Sequence, residues 1–262
     1  MTLSQRDTDR EPEAPVPAPA PSFNEEFPDE VEMSLLDHLG ELRNRLFWAV
    51  GSVLLTSIGC FVFTKPVLNF LQEPATRLGV KFIQTTPGEV FFASMSVSVY
   101  CGLLLASPVV LYQVIAFILP GLTRKEQRYV KPIVASSGVL FLLGLLFARY
   151  ALIPAAINFF VGYGDDIAAQ NYTIGAYFNL IFVLMLGTGV IFQLPILQVG
   201  LGLAGLVDSR RMLSWWRYVI LGAFVVGAVV TPSTDPVTQT LLSGAVCLLF
   251  FSGVFALKLL GR

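Results

Sequence analysis

Met33–Arg45, MSLLDHLGELRNR, is polar and charged, yet it runs without a break into Leu46–Phe63, LFWAVGSVLLTSIGCFVF. That join decides the fold. Ser34 with Asp37 three residues on matches a capping-box pattern, so a helix is expected to begin here and continue into the apolar run. Leu35, Leu39, Leu42 and Leu46 recur at helical spacing as one apolar stripe. Asp37, Glu41, Asn44 and Arg45 occupy another face, with Glu41 and Arg45 in the favourable i, i+4 order. Two readings of that face are open. One is an amphipathic helix at a membrane surface whose charges are simply solvated. The other is a carboxylate, Glu41, set beside a hydrophobic span to meet a cation brought by a partner.

Outward from this stretch, composition fixes the class. The chain is 55% apolar and 13% charged, with a mean hydropathy of +0.70; ordinary soluble domains carry roughly 25% charged residues. The net charge of -1 conceals segregation, because nine of the eighteen acidic residues fall within residues 1–32. This composition is that of an integral membrane protein. Residues 1–32 hold prolines at 12, 15, 17, 19, 21 and 28 and almost no large apolar residue before Phe23. Such a segment cannot bury enough surface to offset its ordering entropy, so a disordered, solvated acidic tail is expected, followed by a membrane domain over 33–262. It has neither the apolar core of a signal peptide nor the basic character of a transit peptide.

Six spans are expected: Leu46–Phe63, Phe91–Leu119, Pro132–Ile153, Ile174–Leu201, Trp215–Val230 and Val237–Leu257. About 20 apolar residues cross a hydrocarbon core of roughly 30 Å. The second and fourth are longer than that and should tilt or bend, helped by Pro108 and Pro195. The fifth is short and forms a hairpin with the sixth through TPSTDP, residues 231–236. With a cytoplasmic N-terminus the inner flanks hold eleven Lys and Arg residues and the outer flanks four (Lys65, Arg77, Lys81 and Arg149), so both termini are expected inside.

The chemistry that remains is sparse. His38 is the single histidine, so no multi-histidine metal site can form. Cys60, Cys101 and Cys247 are isolated inside spans, and no phosphate loop is present. Gly200, Gly202 and Gly205 spell GxGxxG but close an apolar helix, outside the strand–turn–helix context that dinucleotide binding needs. Neither a cofactor nor enzyme activity is expected: an embedded enzyme would need a reactive pair, and the adjacent His38 and Asp37 point to different helix faces. A small-solute transporter usually keeps an ionisable group at the midplane, and no Asp, Glu or Lys lies mid-span here. Polar groups within the spans are Gln113, Asn179 and Gln193, with Glu89 and Arg149 at outer ends. For Gln193 two roles are open, an internal helix–helix hydrogen bond or a polar dock for a partner's transmembrane helix.

HLGELRNRL (38–46), SPVVLYQVIAFILPGLTRKEQR (107–128), GAFVVGAVVTP (222–232) and QTLL (239–242) resemble the TatC family, the multi-spanning receptors of the twin-arginine translocase. The resemblance covers roughly residues 34–257. It implies an all-α, glove-shaped bundle of six transmembrane helices with both termini cytoplasmic or stromal. It also implies recognition of folded precursors bearing Arg-Arg signal peptides, self-association and assembly with single-span TatA/TatB-type partners, and transport driven by the proton-motive force. Position by position, Glu41 matches the family's signal-binding glutamate, flanked by Arg43 and Arg45. Glu126 matches the second carboxylate of that site, Arg128 follows in the same loop, and Phe117 matches an aromatic at the inner end of span two. Pro74 corresponds to a proline of the first external loop and Asp235 to the acid between spans five and six. Gln193 stands where many members carry a glutamate; this and the TPSTDP turn resemble cyanobacterial and plastid members, pointing to a plasma or thylakoid membrane.

Overall fold

The computed structural model describes residues 35–118, 130–164, 171–203, 205–231 and 235–261, all within the unit Met33–Arg262. The expected N-terminal tail, Ser34, Glu126 and Arg128 lie outside these residues.

Helix α1, Leu35–Val62, begins one residue after the expected capping serine and carries the polar stretch and the first span as one rod. It packs chiefly on α3, Glu89–Ile118. Small and hydroxylated residues let the two backbones approach, the usual solution where lipid removes any hydrophobic drive between helices. Thr56 donates to the carbonyl of Gly102 at 2.8 Å. A Cβ on Gly102 would come within 2.5 Å of the Ser57 backbone, so the contact requires glycine.

The first external loop is expected around Pro74. In the connection between the first two spans, Pro74 is buried inside an amphipathic helix α2, Thr64–Thr76. A departure from the all-helical expectation is a two-stranded parallel sheet, β1 (Lys81–Ile83) with β2 (Asn171–Thr173), in register Lys81 to Asn171. β1 lies between the first two spans and β2 between the third and fourth, so the sheet ties two crossings together at one end of the bundle.

The third span runs further than the expected Ile153. α4, Val130–Phe147, passes through a π-helical turn at Ala148–Leu152 into α5, Ile153–Gly164. Pro154 has no N–H to give the carbonyl four residues back, the usual reason for a helix to stop. The wide turn absorbs the deficit, because Ile153 N–H bonds instead to Ala148, five residues back. At the fourth span the same deficiency has the other outcome. α6, Ile174–Ile191, ends at Phe192–Gln193 and α7, Leu194–Leu203, resumes with Pro195 as its second residue. Leu206 N–H to Leu201 at 3.0 Å and Gly205 N–H to Gly202 at 3.1 Å close α7, with Gly205 in the left-handed region at φ 69°. The GxGxxG spacing is therefore a helix stop.

After α8, Ser209–Ser214, come α9, Trp216–Val230, and α10, Pro236–Leu259. Among the described residues five helices are long and apolar enough to cross a membrane; the other expected span is the shorter apolar α9. The main core gathers Phe178, Phe182, Ile181 and Leu184 of α6 with Leu71 and Ala75 of α2 and Ile153 of α5. A smaller core of Met212, Phe250, Val254 and Leu257 joins α8 to α10.

Candidate functional site

The polar face of α1 meets α3 at the end where α1 begins. His38, Glu41 and Arg45 follow at i, i+3 and i+7, and Gln113 and Phe117 at i, i+4, so each set forms one stripe along its helix. Arg45 Nε donates to Glu41 Oε1 at 2.9 Å and its Nη2 reaches the same oxygen. Arg45 Nη1 crosses to Gln113 Oε1 at 3.5 Å, a long bond joining the two helices. The His38 and Phe117 rings stack with centroids 4.3 Å apart. The Glu41 and Arg45 side chains are 20% and 24% exposed, a half-buried ion pair. Glu41 Oε2 is buried and accepts no hydrogen bond from the described residues. A buried carboxylate oxygen without a donor is costly, and its natural complement is a further N–H.

Arg43 is exposed on α1 and enters none of these hydrogen bonds. The structure thus joins Glu41, Arg45 and Phe117 and adds His38 and Gln113, which the sequence reading had not grouped with them. The signal that could have found them is the matching periodicity of the two stripes.

Gln193 sits at the α6–α7 break, 8% exposed. Its Oε1 accepts from Ser137 Oγ at 2.6 Å and its Nε2 donates to Ser137 O at 3.2 Å. Both ends of the amide are engaged with α4, which is the internal role of the two left open. Asp235 is 2% exposed, and its carboxylate caps α10 by accepting from Thr238 N–H at 2.7 Å and from the Thr238 hydroxyl. Ser243 to Ala223 O at 3.1 Å and Gln239 to Phe224 O at 3.1 Å fasten α9 to α10.

Residues 37–244 match the family model described as Sec-independent protein translocase protein (TatC). The chain belongs to the TatC family. The Sec-independent protein translocase protein TatC of Synechocystis sp. is 54% identical over 242 residues, covering 92% of this chain and 94% of the relative. The chloroplastic TATC of Arabidopsis thaliana is 51% identical over 238 residues, covering 91% and 70%. A crystal structure of the twin-arginine translocase receptor TatC superposes with a TM-score of 0.75 at 34% identity, covering 86% of this chain and all of that one. As a TatC protein, the chain is a component of a Sec-independent protein translocase, a family of transport proteins and not of catalysts. It is an integral membrane protein of a plasma or thylakoid membrane.

Proposed function

We propose that this TatC protein is the receptor subunit of its translocase, binding Arg-Arg signal peptides of folded precursors where α1 meets α3. In this proposal it has six spans with both termini cytoplasmic, works with single-span TatA/TatB-type partners and copies of itself, and transports by the proton-motive force. The observation that carries the receptor reading is Glu41, a half-buried carboxylate with Arg45 on one oxygen and no donor from the described residues on the other. Arg45 acts as a stand-in ligand. An incoming guanidinium takes the free oxygen first and can then share or displace Arg45, exchanging like for like. A lysine ammonium cannot supply the two parallel N–H bonds of a guanidinium fork, so the exchange favours arginine. Glu126 takes the second arginine. Arg43 and Arg128 hold the anionic surroundings of the peptide, and Phe117 packs beside its apolar part.

A fully exposed pair would contribute only about 0.2–1 kcal/mol, too little for selection. A half-buried, charge-assisted set contributes roughly 1.5–3 kcal/mol. Glu41→Gln and Glu126→Gln should each weaken signal-peptide binding about ten- to a hundredfold, at 1.4 kcal/mol per decade. Coupling to Arg→Lys in the peptide should appear in a double-mutant cycle. Unchanged affinity of the double Gln variant for the Arg-Arg peptide defeats the site.

For the single-span partners we infer a dock along the α6–α7 break, with Gln193 at its floor. Because Ser137 already occupies the amide, a partner would bind by sharing that hydrogen-bond pair. Gln193→Leu should weaken crosslinking to a single-span partner while signal binding persists; equal crosslinking refutes the dock.

A further inference from the structure

Of the four basic residues placed at the outer flanks by sequence, two converge on one pocket far from the Glu41 site. Glu73 of α2 bridges them: Arg77 Nη2 donates to its Oε1 at 2.5 Å and Arg149 Nη2 to its Oε2 at 2.8 Å. One carboxylate between two guanidinium groups leaves one positive charge without a counter-ion among the described residues. Arg149 is held in place from several sides. Its side chain is only 10% exposed, its Nη2 also donates to Phe70 O at 3.2 Å, and its guanidinium lies 4.7 Å from the Phe70 ring centre. Its Nε is buried, and neither it nor Nη1 makes a hydrogen bond to the described residues. A cavity of about 320 Å³ opens beside these groups, walled by Pro74, Leu78, Tyr150 and Pro154, with Asn158 at its edge.

Depth identifies the ligand class. From Lys131 to Arg149 the helix climbs eighteen residues, about 27 Å at 1.5 Å each. With Lys131 set at the inner interface by its charge, Arg149 reaches the far boundary of a hydrocarbon core of roughly 30 Å, at headgroup level, and α5 continues beyond it. The apolar walls suit the glycerol and upper acyl region of a lipid. A zwitterionic headgroup would bring a cation to a place where the one carboxylate among the described residues is already shared by two arginines.

We propose that this pocket holds the phosphate of an anionic lipid headgroup, with Arg149 and Arg77 as its donors. The inference rests on the chain being a membrane protein and is independent of the signal-peptide site.

The test uses the full-length protein in neutral detergent, offered dihexanoyl phosphatidylglycerol, dihexanoyl phosphatidylcholine or inorganic phosphate, with bound adducts counted by native mass spectrometry. The wild-type protein should retain the phosphatidylglycerol in preference to the phosphatidylcholine by about tenfold, the effect of one well-placed charge pair. Arg77→Gln, at an exposed position, and Asn158→Asp, which adds a repelling carboxylate at the rim, should each cut that preference about fivefold. Arg149→Lys should cut it too, and the two rim variants keep the test intact if that change disturbs folding. Equal retention of the two lipids overturns the proposal. So does a preference that neither rim variant alters, or displacement of the lipid by an equal concentration of inorganic phosphate, which would mark a free-phosphate site.

Discussion

Glu73 and Gln193 show how single side chains hold this bundle from opposite ends of its polarity range. Glu73 is 41% exposed and serves two arginines, one of them almost buried. Glu73→Gln leaves two guanidinium groups facing each other without a carboxylate. Breaking a fully buried pair costs about 3–5 kcal/mol, and solvent screening at this partly open position reduces the expected loss to about 1–3 kcal/mol. It should appear as a lowered thermal midpoint in detergent, and an unchanged midpoint refutes the bridging role. Gln193 is neutral, and Ser137 both donates to it and accepts from it. Ser137→Ala strands Gln193 Oε1 in a buried site, at a cost of about 1–3 kcal/mol. Ser137→Ala with Gln193→Leu removes both partners and should be the more stable of the two variants. A double variant no better than Ser137→Ala would mean that the pair contributes packing and not hydrogen bonding. Gln193→Glu is expected to destabilise, since a carboxylate would face the Ser137 and Gly189 carbonyls that the amide now donates to.

Helices are joined here by close approach and side-chain hydrogen bonds more than by large interdigitating cores. The α1–α3 contact is the clearest case, because little of α1 is buried elsewhere. Gly102→Ala should cost about 1–3 kcal/mol by overpacking, and Ser57→Gly should rescue it only in part, because the added Cβ meets the Ser57 backbone as well as its hydroxyl. Susceptibility of α1 to limited proteolysis in detergent reports the outcome; full rescue by Ser57→Gly would place the contact in the serine side chain alone. The spans were legible in the sequence because apolar runs and their flanking charges are local signals. Their ends were less so. Pro154 reads as a stop but continues through a π turn, while Pro195 breaks its helix, and what separates them is whether a wider turn precedes the proline. α2 was missed because its amphipathic pattern surrounds Pro74, and the three-residue strands because their pairing partner lies 90 residues away. Of the candidate site, Glu41, Arg45 and Phe117 were legible from a family resemblance. The bare Glu41 oxygen and the Gln113 bond were not, since they depend on how two helices dock.

At the scale of the whole molecule the open variable is the number of crossings, and α9 decides it. Its fifteen residues extend about 22 Å, short of a core of roughly 30 Å unless the bilayer thins or neighbouring helices shield its ends. Two features favour a crossing. α9 is fastened along α10 by Ser243 and Gln239, so it runs beside a full-length span. Asp235 and Pro236 cap α10 immediately after the hairpin, so the turn is built as a helix start. With six crossings the ends of α1 and α10 share a side; with five they are opposed. Single cysteines at Arg43, Arg77 and Leu259, all exposed, in a background lacking Cys60, Cys101 and Cys247, separate the cases. An impermeant thiol reagent added outside intact cells should label Arg77→Cys alone, and Arg43→Cys and Leu259→Cys should react only after permeabilisation. Labelling of Leu259→Cys together with Arg77→Cys in intact cells would make α9 a surface helix and place the C-terminus outside.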